Sequence, residues 1–191
     1  MDDQYLESLP MKIKTQIMTV YLFQDVFLKF RRFFKVDTPD EMNFLYHVAF
    51  GFLPRHFSPN DDDRIIYDEE QDVSEMYFIE EGIIGIAFSL IANGFAQANY
   101  SIGKRLISGL NPTSCHNQQQ NHLICDHYVL NNCKCQFIYM ALDREVRAFA
   151  LVKSHLHDEV FPKYPEIALK LQKESFENYN KFIFAPLNNQ R

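Results

Sequence analysis

The spacing of apolar positions changes period twice along the chain. Over residues 1–35, Leu6, Leu9, Ile13, Ile17, Val20 and Tyr21 recur at three- and four-residue steps, which predicts helix. Pro10 is tolerated in a first turn and predicts the start of a second helix. The stripe resumes with Val26, Phe27, Phe30, Phe33 and Phe34. Thr38-Pro39-Asp40-Glu41 then reads as a capping box, with Thr38 as the cap, Pro39 in the first turn and Glu41 reaching back. Phe44, Leu45, Val48 and Phe52 form one apolar face behind it, and this helix should end near Gly51.

The middle of the chain runs in short segments rich in β-branched and aromatic residues. His56-Phe57-Ser58, Arg64–Tyr67, Met76–Ile79 and Ile83–Leu90 predict strands. Pro59-Asn60-Asp61, Asp68–Ser74 and Glu80-Glu81-Gly82 predict the turns between them. Lys104–Leu110 predicts one more strand in a polar stretch, and Asn111–Asn121 predicts an exposed loop. Gln136–Leu142 and Val146–Lys153 predict strands again. A short helix follows over Ser154–Phe161, and a longer one opens at Pro165, carrying Ile167, Ala168, Leu171, Tyr179 and Phe182. Helices, then strands, then helices make an α+β chain whose strand spacing suits a sandwich, barrel or roll.

Composition narrows the function classes. With 191 residues and 47% apolar content, including 18 Phe and 10 Tyr, the chain can bury one sizeable core. Its net charge of -6 argues against a nucleic-acid partner, and the basic runs at Lys12-Ile13-Lys14 and Lys29-Phe30-Arg31-Arg32 fall on helical faces. No apolar run reaches the length of a membrane helix; if the parent is a membrane protein, this is expected to be a soluble piece of it. The acidic start Met1-Asp2-Asp3-Gln4 is unlike a signal peptide. The cysteines cluster between Cys115 and Cys135, which favours a reduced, cytosolic setting over a secreted disulfide scaffold.

Three fragments, in this order and spacing, resemble the cyclic nucleotide-binding domain. Leu53-Pro54-Arg55-His56-Phe57-Ser58-Pro59-Asn60-Asp61 resembles a strand of that family with its Ser-Pro-Gly-Asp turn. Glu75-Met76-Tyr77-Phe78-Ile79-Glu80-Glu81-Gly82 resembles the next strand and its closing glycine, and Lys163-Tyr164-Pro165-Glu166 resembles the opening of the last helix. The resemblance implies an antiparallel β-roll (a double-stranded β-helix, jelly-roll-like) over residues 36–183, with C-terminal helices and a tail at 184–191. Leu6-Glu7-Ser8-Leu9-Pro10-Met11-Lys12-Ile13-Lys14 resembles the linker helices of hyperpolarisation-activated, cyclic-nucleotide-gated and ether-à-go-go-type channels. That implies linker helices over 1–35, a homotetrameric channel whose subunits meet through them, and a place on the cytoplasmic side of a membrane. The Gln- and Asn-rich loop is similar to those of ciliate potassium channels. A transporter parent, such as a sperm-type sodium–proton exchanger, stays open.

The family binds its ligand with a Phe-Gly-Glu turn, a short helix and an arginine. Arginine pairs with the cyclic phosphate as a fork, and glycine lets the backbone approach. Aligned back from Ala141-Leu142, Ile124-Cys125-Asp126 stands for Phe-Gly-Glu, His127–Asn131 for the short helix, and Cys135 for the arginine, followed by Gln136. Cys125 crowds the approach, Asp126 is one methylene short, and Cys135 cannot pair with phosphate. Lys134 is a point charge that strand alternation should turn away from position 135. Glu70 stands where a turn glycine is usual, and Asp62-Asp63-Arg64 read as an insertion. The expectation is a degenerate pocket that binds cyclic AMP or GMP weakly at best, in a gating domain of a cation (potassium) channel. As in ether-à-go-go-type relatives, a terminal side chain would fill it, with Tyr179, Phe182 and Phe184 as candidates.

Two functional alternatives are a working cyclic-nucleotide sensor and a zinc-binding interaction domain. Cys115, His116, His122, Cys125, His127, Cys133 and Cys135 supply zinc-type ligands, but without a Cys-x-x-Cys pair. No metal site, and no cofactor beyond cyclic AMP or GMP as ligand, is expected. An enzyme is not expected: His155 and His157 beside Asp158-Glu159 read as surface histidines, and neither an activated nucleophile nor a Gly-rich phosphate loop is present.

Overall fold

The computed structural model describes residues 8–35, 37–59, 64–88, 105–110, 123–142 and 145–185. The expected loop over Asn111–Asn121, the insertion at Asp62-Asp63 and the terminal tail beyond Ala185 lie outside the described residues. Two antiparallel four-stranded sheets form the centre. One has the order β1 (Phe52–Phe57), β8 (Val146–Val152), β3 (Glu75–Glu81) and β6 (Leu123–Ile124). The other has the order β2 (Ile65–Tyr67), β7 (Ile138–Ala141), β4 (Ile84–Phe88) and β5 (Arg105–Leu110).

The N-terminal segment is helical, as its periodicity predicts. It contains α1 (Met11–Gln16), a π-helical turn over Ile17–Leu22 and α2 (Gln24–Lys29). Val26, Phe27, Phe30 and Phe34 are buried. The Phe78 ring lies 4.9 Å from Phe30, 5.2 Å from Phe34 and 5.4 Å from Phe52. Phe23 adds a contact with Phe149 of β8 at 5.6 Å. The aromatic stripe is thus the layer that seals the outer face of the first sheet. This is why β3 is buried at four successive positions, Met76 to Ile79, instead of alternating.

The next helix, α3 (Pro39–Ala49), begins as its capping box predicts. Glu41 N–H donates to Thr38 Oγ1 at 3.2 Å, and the Glu41 carboxylate accepts from the backbone N–H groups of Thr38 at 3.0 Å and Asp37 at 2.8 Å. Its end lies against the C-terminal helices. A Cβ on Gly51 would sit 2.2 Å from His155 Cδ2, so glycine is what admits that imidazole.

Strand β1 starts earlier than expected, at Phe52 instead of His56, and takes Pro54 within it. Proline lacks a donor and is tolerated because, among the described residues, β1 is the outer strand of its sheet, paired with β8. At the C-terminal end, a π-helical segment (His155–Val160) and a short 3-10 turn (Phe161–Lys163) lead into α5 (Pro165–Tyr179). His155 and His157 are not free surface residues. His155 Nε2 donates to His47 O at 3.0 Å, and His157 Nε2 donates to Val129 O at 2.9 Å, so both are half-buried joints between distant elements. Among the described residues, no helix is long and apolar enough to cross a membrane.

Candidate functional site

The cassette runs from β6 to β7 along one side of the roll. Ile124 is buried in β6 and pairs with Tyr77 of β3. Cys125 follows with φ 63° and ψ 6°, the left-handed region that favours glycine. The backbone turn of the expected Phe-Gly-Glu motif is therefore present, with a cysteine carrying it. Asp126 opens the short helix α4 (Asp126–Leu130), and burial pushes its carboxyl up to about 7 despite bonds from the His127 and Asp126 N–H groups.

Cys135, expected to stand in place of the arginine, holds its thiol in a fully buried place. Cys135 Sγ–H donates to Phe137 O at 2.9 Å, and burial pushes the thiol up to about 12. Its backbone is tied on both sides: its N–H donates to Gln71 O at 3.0 Å, and its O accepts from Glu70 N–H at 2.8 Å. Glu70 itself has φ 64°, in keeping with a place where glycine is usual. Lys134 is exposed while its neighbour Cys135 is buried, as strand alternation predicts, and its backbone pairs with that of Asp72 in an isolated β-bridge. It is the only Lys or Arg within residues 123–142.

Of the three terminal candidates, Tyr179 meets the cassette. It is buried, its ring lies 4.2 Å from His127 with planes 16° apart, and its hydroxyl donates to Gln136 Oε1 at 2.7 Å. The Tyr179 hydroxyl oxygen in turn accepts from the Tyr128 hydroxyl at 3.2 Å. His127 is buried, which lowers its pKa and keeps it neutral. Phe184 lies beyond, 6.2 Å from Tyr179, and Phe182 is 38% exposed with Lys181 over its ring.

Further residues hold this arrangement that sequence pattern did not single out. Asn131 Nδ2 donates to Ser175 Oγ at 3.0 Å and to His127 O at 3.1 Å, and Gln172 donates to Leu130 O at 3.0 Å. These bonds fasten α5 to the helix of the cassette. Cys135, Phe137 and Tyr139 alternate inward along the chain, a period of two that could have placed Tyr139 in the same interior. Cys133 Sγ lies 3.6 Å from His127 Nε2. Cys115, His116 and His122 lie outside the described residues; among those described, no group of three or more His, Cys, Asp or Glu could hold a metal ion.

Comparison with protein-family models finds no match, and neither does comparison with curated protein sequences. Solved structures do match. One is the regulatory domain of Toxoplasma gondii PKA, crystallised with cAMP, with a TM-score of 0.54 and 12% identity over 87% of this chain and 51% of that one. The chain has the fold of a cyclic nucleotide-binding domain. It spans about half the length of that structure, and at this identity the likeness is one of fold. On the cyclic nucleotide-binding fold, residues 124–136 form the segment between the two sheets' strands, and the side chains there are uncharged apart from Asp126 and the outward Lys134. The cassette therefore offers hydroxyls, an imidazole and two thiols inside, with the amide of exposed Gln136 at its edge.

Proposed function

We propose that this chain is a regulatory domain whose own Tyr179 occupies the cassette in place of a cyclic nucleotide. The observation that carries the reading is the paired bonding of the Tyr179 hydroxyl to Gln136 and Tyr128, with its ring on His127, beside a buried thiol at position 135. A cyclic phosphate brought there would meet no cation from residues 123–142 other than the exposed Lys134. An unpaired buried charge costs several kcal/mol, far more than the single charge-assisted bond it lacks. Isothermal calorimetry with cyclic AMP and cyclic GMP should show no binding at micromolar concentrations. A micromolar dissociation constant for either would establish the rival reading of a working sensor, which the glycine-like backbone at Cys125 favours.

The parent we propose is a channel, with this domain on the cytoplasmic side of its membrane. Linker-type helices in such assemblies meet a neighbouring subunit. Two features of residues 11–35 support that role here. Tyr21, Leu22 and Leu28 are exposed at 72%, 48% and 61%. The segment also carries Lys12, Lys14, Lys29, Arg31, Arg32 and Lys35 against Asp25 alone, in a chain of net charge -6. A basic, apolar arm and an acidic remainder suit a head-to-tail ring of identical subunits.

A further inference from the structure

The groups that meet the Tyr179 hydroxyl are neutral and directional. Gln136 Oε1 takes its proton at 2.7 Å, and the Tyr128 hydroxyl gives one back at 3.2 Å. His127 supplies a flat face for the ring at 4.2 Å. Behind Tyr128, Tyr139 is fully buried, and its hydroxyl completes no hydrogen bond among the described residues. Cys125 and Cys135 complete the surroundings as buried thiols. The shape is that of a slot for one planar ring whose hydroxyl both donates and accepts.

From this geometry we infer that the slot is a binding site for an uncharged hydroxy-aromatic small molecule, which stacks on His127 and displaces Tyr179, resting on the reading of Tyr179 as the built-in occupant. The ligand's hydroxyl takes over the bonds to Gln136 and Tyr128. Displacement frees the end of α5 and the π-helical turn Asn180–Phe184 that follows it, so occupancy is read out as a change at the C-terminal helix.

The test titrates 2-naphthol, followed by its fluorescence, into the native domain and into the Tyr179→Ala and Gln136→Leu variants, with naphthalene as the shape control. Saturable one-to-one binding to the native domain is expected. Removing the tethered competitor should tighten it at least about tenfold in Tyr179→Ala. Losing one directional partner should weaken it about tenfold in Gln136→Leu, and naphthalene should bind the native domain about tenfold more weakly than naphthol. Equal affinity for the two probes, or no tightening in Tyr179→Ala, overturns the inference. If circular dichroism shows Tyr179→Ala unfolded, the native and Gln136→Leu proteins with the two probes decide by the same comparison. Micromolar binding of cyclic AMP to the native domain would instead defeat the reading of Tyr179 as occupant, and the two failures are told apart because they are read with different ligands.

Discussion

Cys125, Glu70 and Asn132 hold φ values of 63°, 64° and 52°, a region in which a side chain is strained. Glu70 is exposed, so Glu70→Gly removes that strain without losing packing. It should stabilise the domain by about 1 kcal/mol, read as a higher urea midpoint at unchanged slope. Cys125→Gly should gain less, because a buried thiol is lost with the strain. The neighbours Asp126 and His127 make opposite contributions with pH. Burial raises the Asp126 carboxyl from 3.8 to about 7, so the folded state binds its proton more tightly than the unfolded one. That contribution is complete below the unfolded value and is lost as pH rises towards 7. Burial lowers His127 from 6.5, so its contribution is present above that pH and is lost as pH falls below it. Asp126→Asn should therefore be more stable than the native protein near neutral pH, by on the order of 1–3 kcal/mol, and keep only the His127 slope. Urea titrations across a pH series check this, and parallel native and variant curves would contradict it.

Helix α5 shows what a pattern along the chain can and cannot disclose. Its start at Pro165 and its buried residues Ala168, Leu171 and Tyr179 follow from pattern and residue type, as do the capping box of α3 and the strands other than β6, whose two residues Leu123–Ile124 are too short to show a period. The π-helical turns over Ile17–Leu22, His155–Val160 and Asn180–Phe184 do not. Their wider winding is imposed by tertiary contacts, and no residue type marks it. The same holds for His155 and His157, whose acidic neighbours suggested a solvated face, while their partners His47 and Val129 are far away in sequence. In the candidate site, Cys135 and Tyr179 could be named from the sequence, but which partners Tyr179 finds could not, because Gln136 and Tyr128 come near it only through folding. The joint between α5 and α4 is testable on its own. Asn131→Ala removes donors to Ser175 and His127 and should cost about 1–2 kcal/mol in chemical denaturation. In the native protein, amide exchange at the end of α5 should be slower than in this variant.

At the scale of the molecule, the N-terminal helices are part of the core and also the proposed contact with a second subunit. Phe78 ties them to the first sheet, so Phe78→Ala should cost about 3–5 kcal/mol and loosen residues 24–35 with the sheet. Leu28, on the outer side, should behave differently. Leu28→Glu should leave the thermal midpoint nearly unchanged while reducing any concentration-dependent association in sedimentation velocity. Raised salt should act in the same direction, since the proposed contact joins a basic arm to an acidic body.

Pro54 bears on the behaviour of the protein in bulk. An outer strand is a template on which foreign strands can grow, and growth requires a continuous row of donors. β1 breaks that row at Pro54, where the backbone has no N–H to offer. Pro54 is in this sense a guard against polymerisation. Replacing it with valine should leave the pairing with β8 intact and shorten the lag before fibrils form on heating.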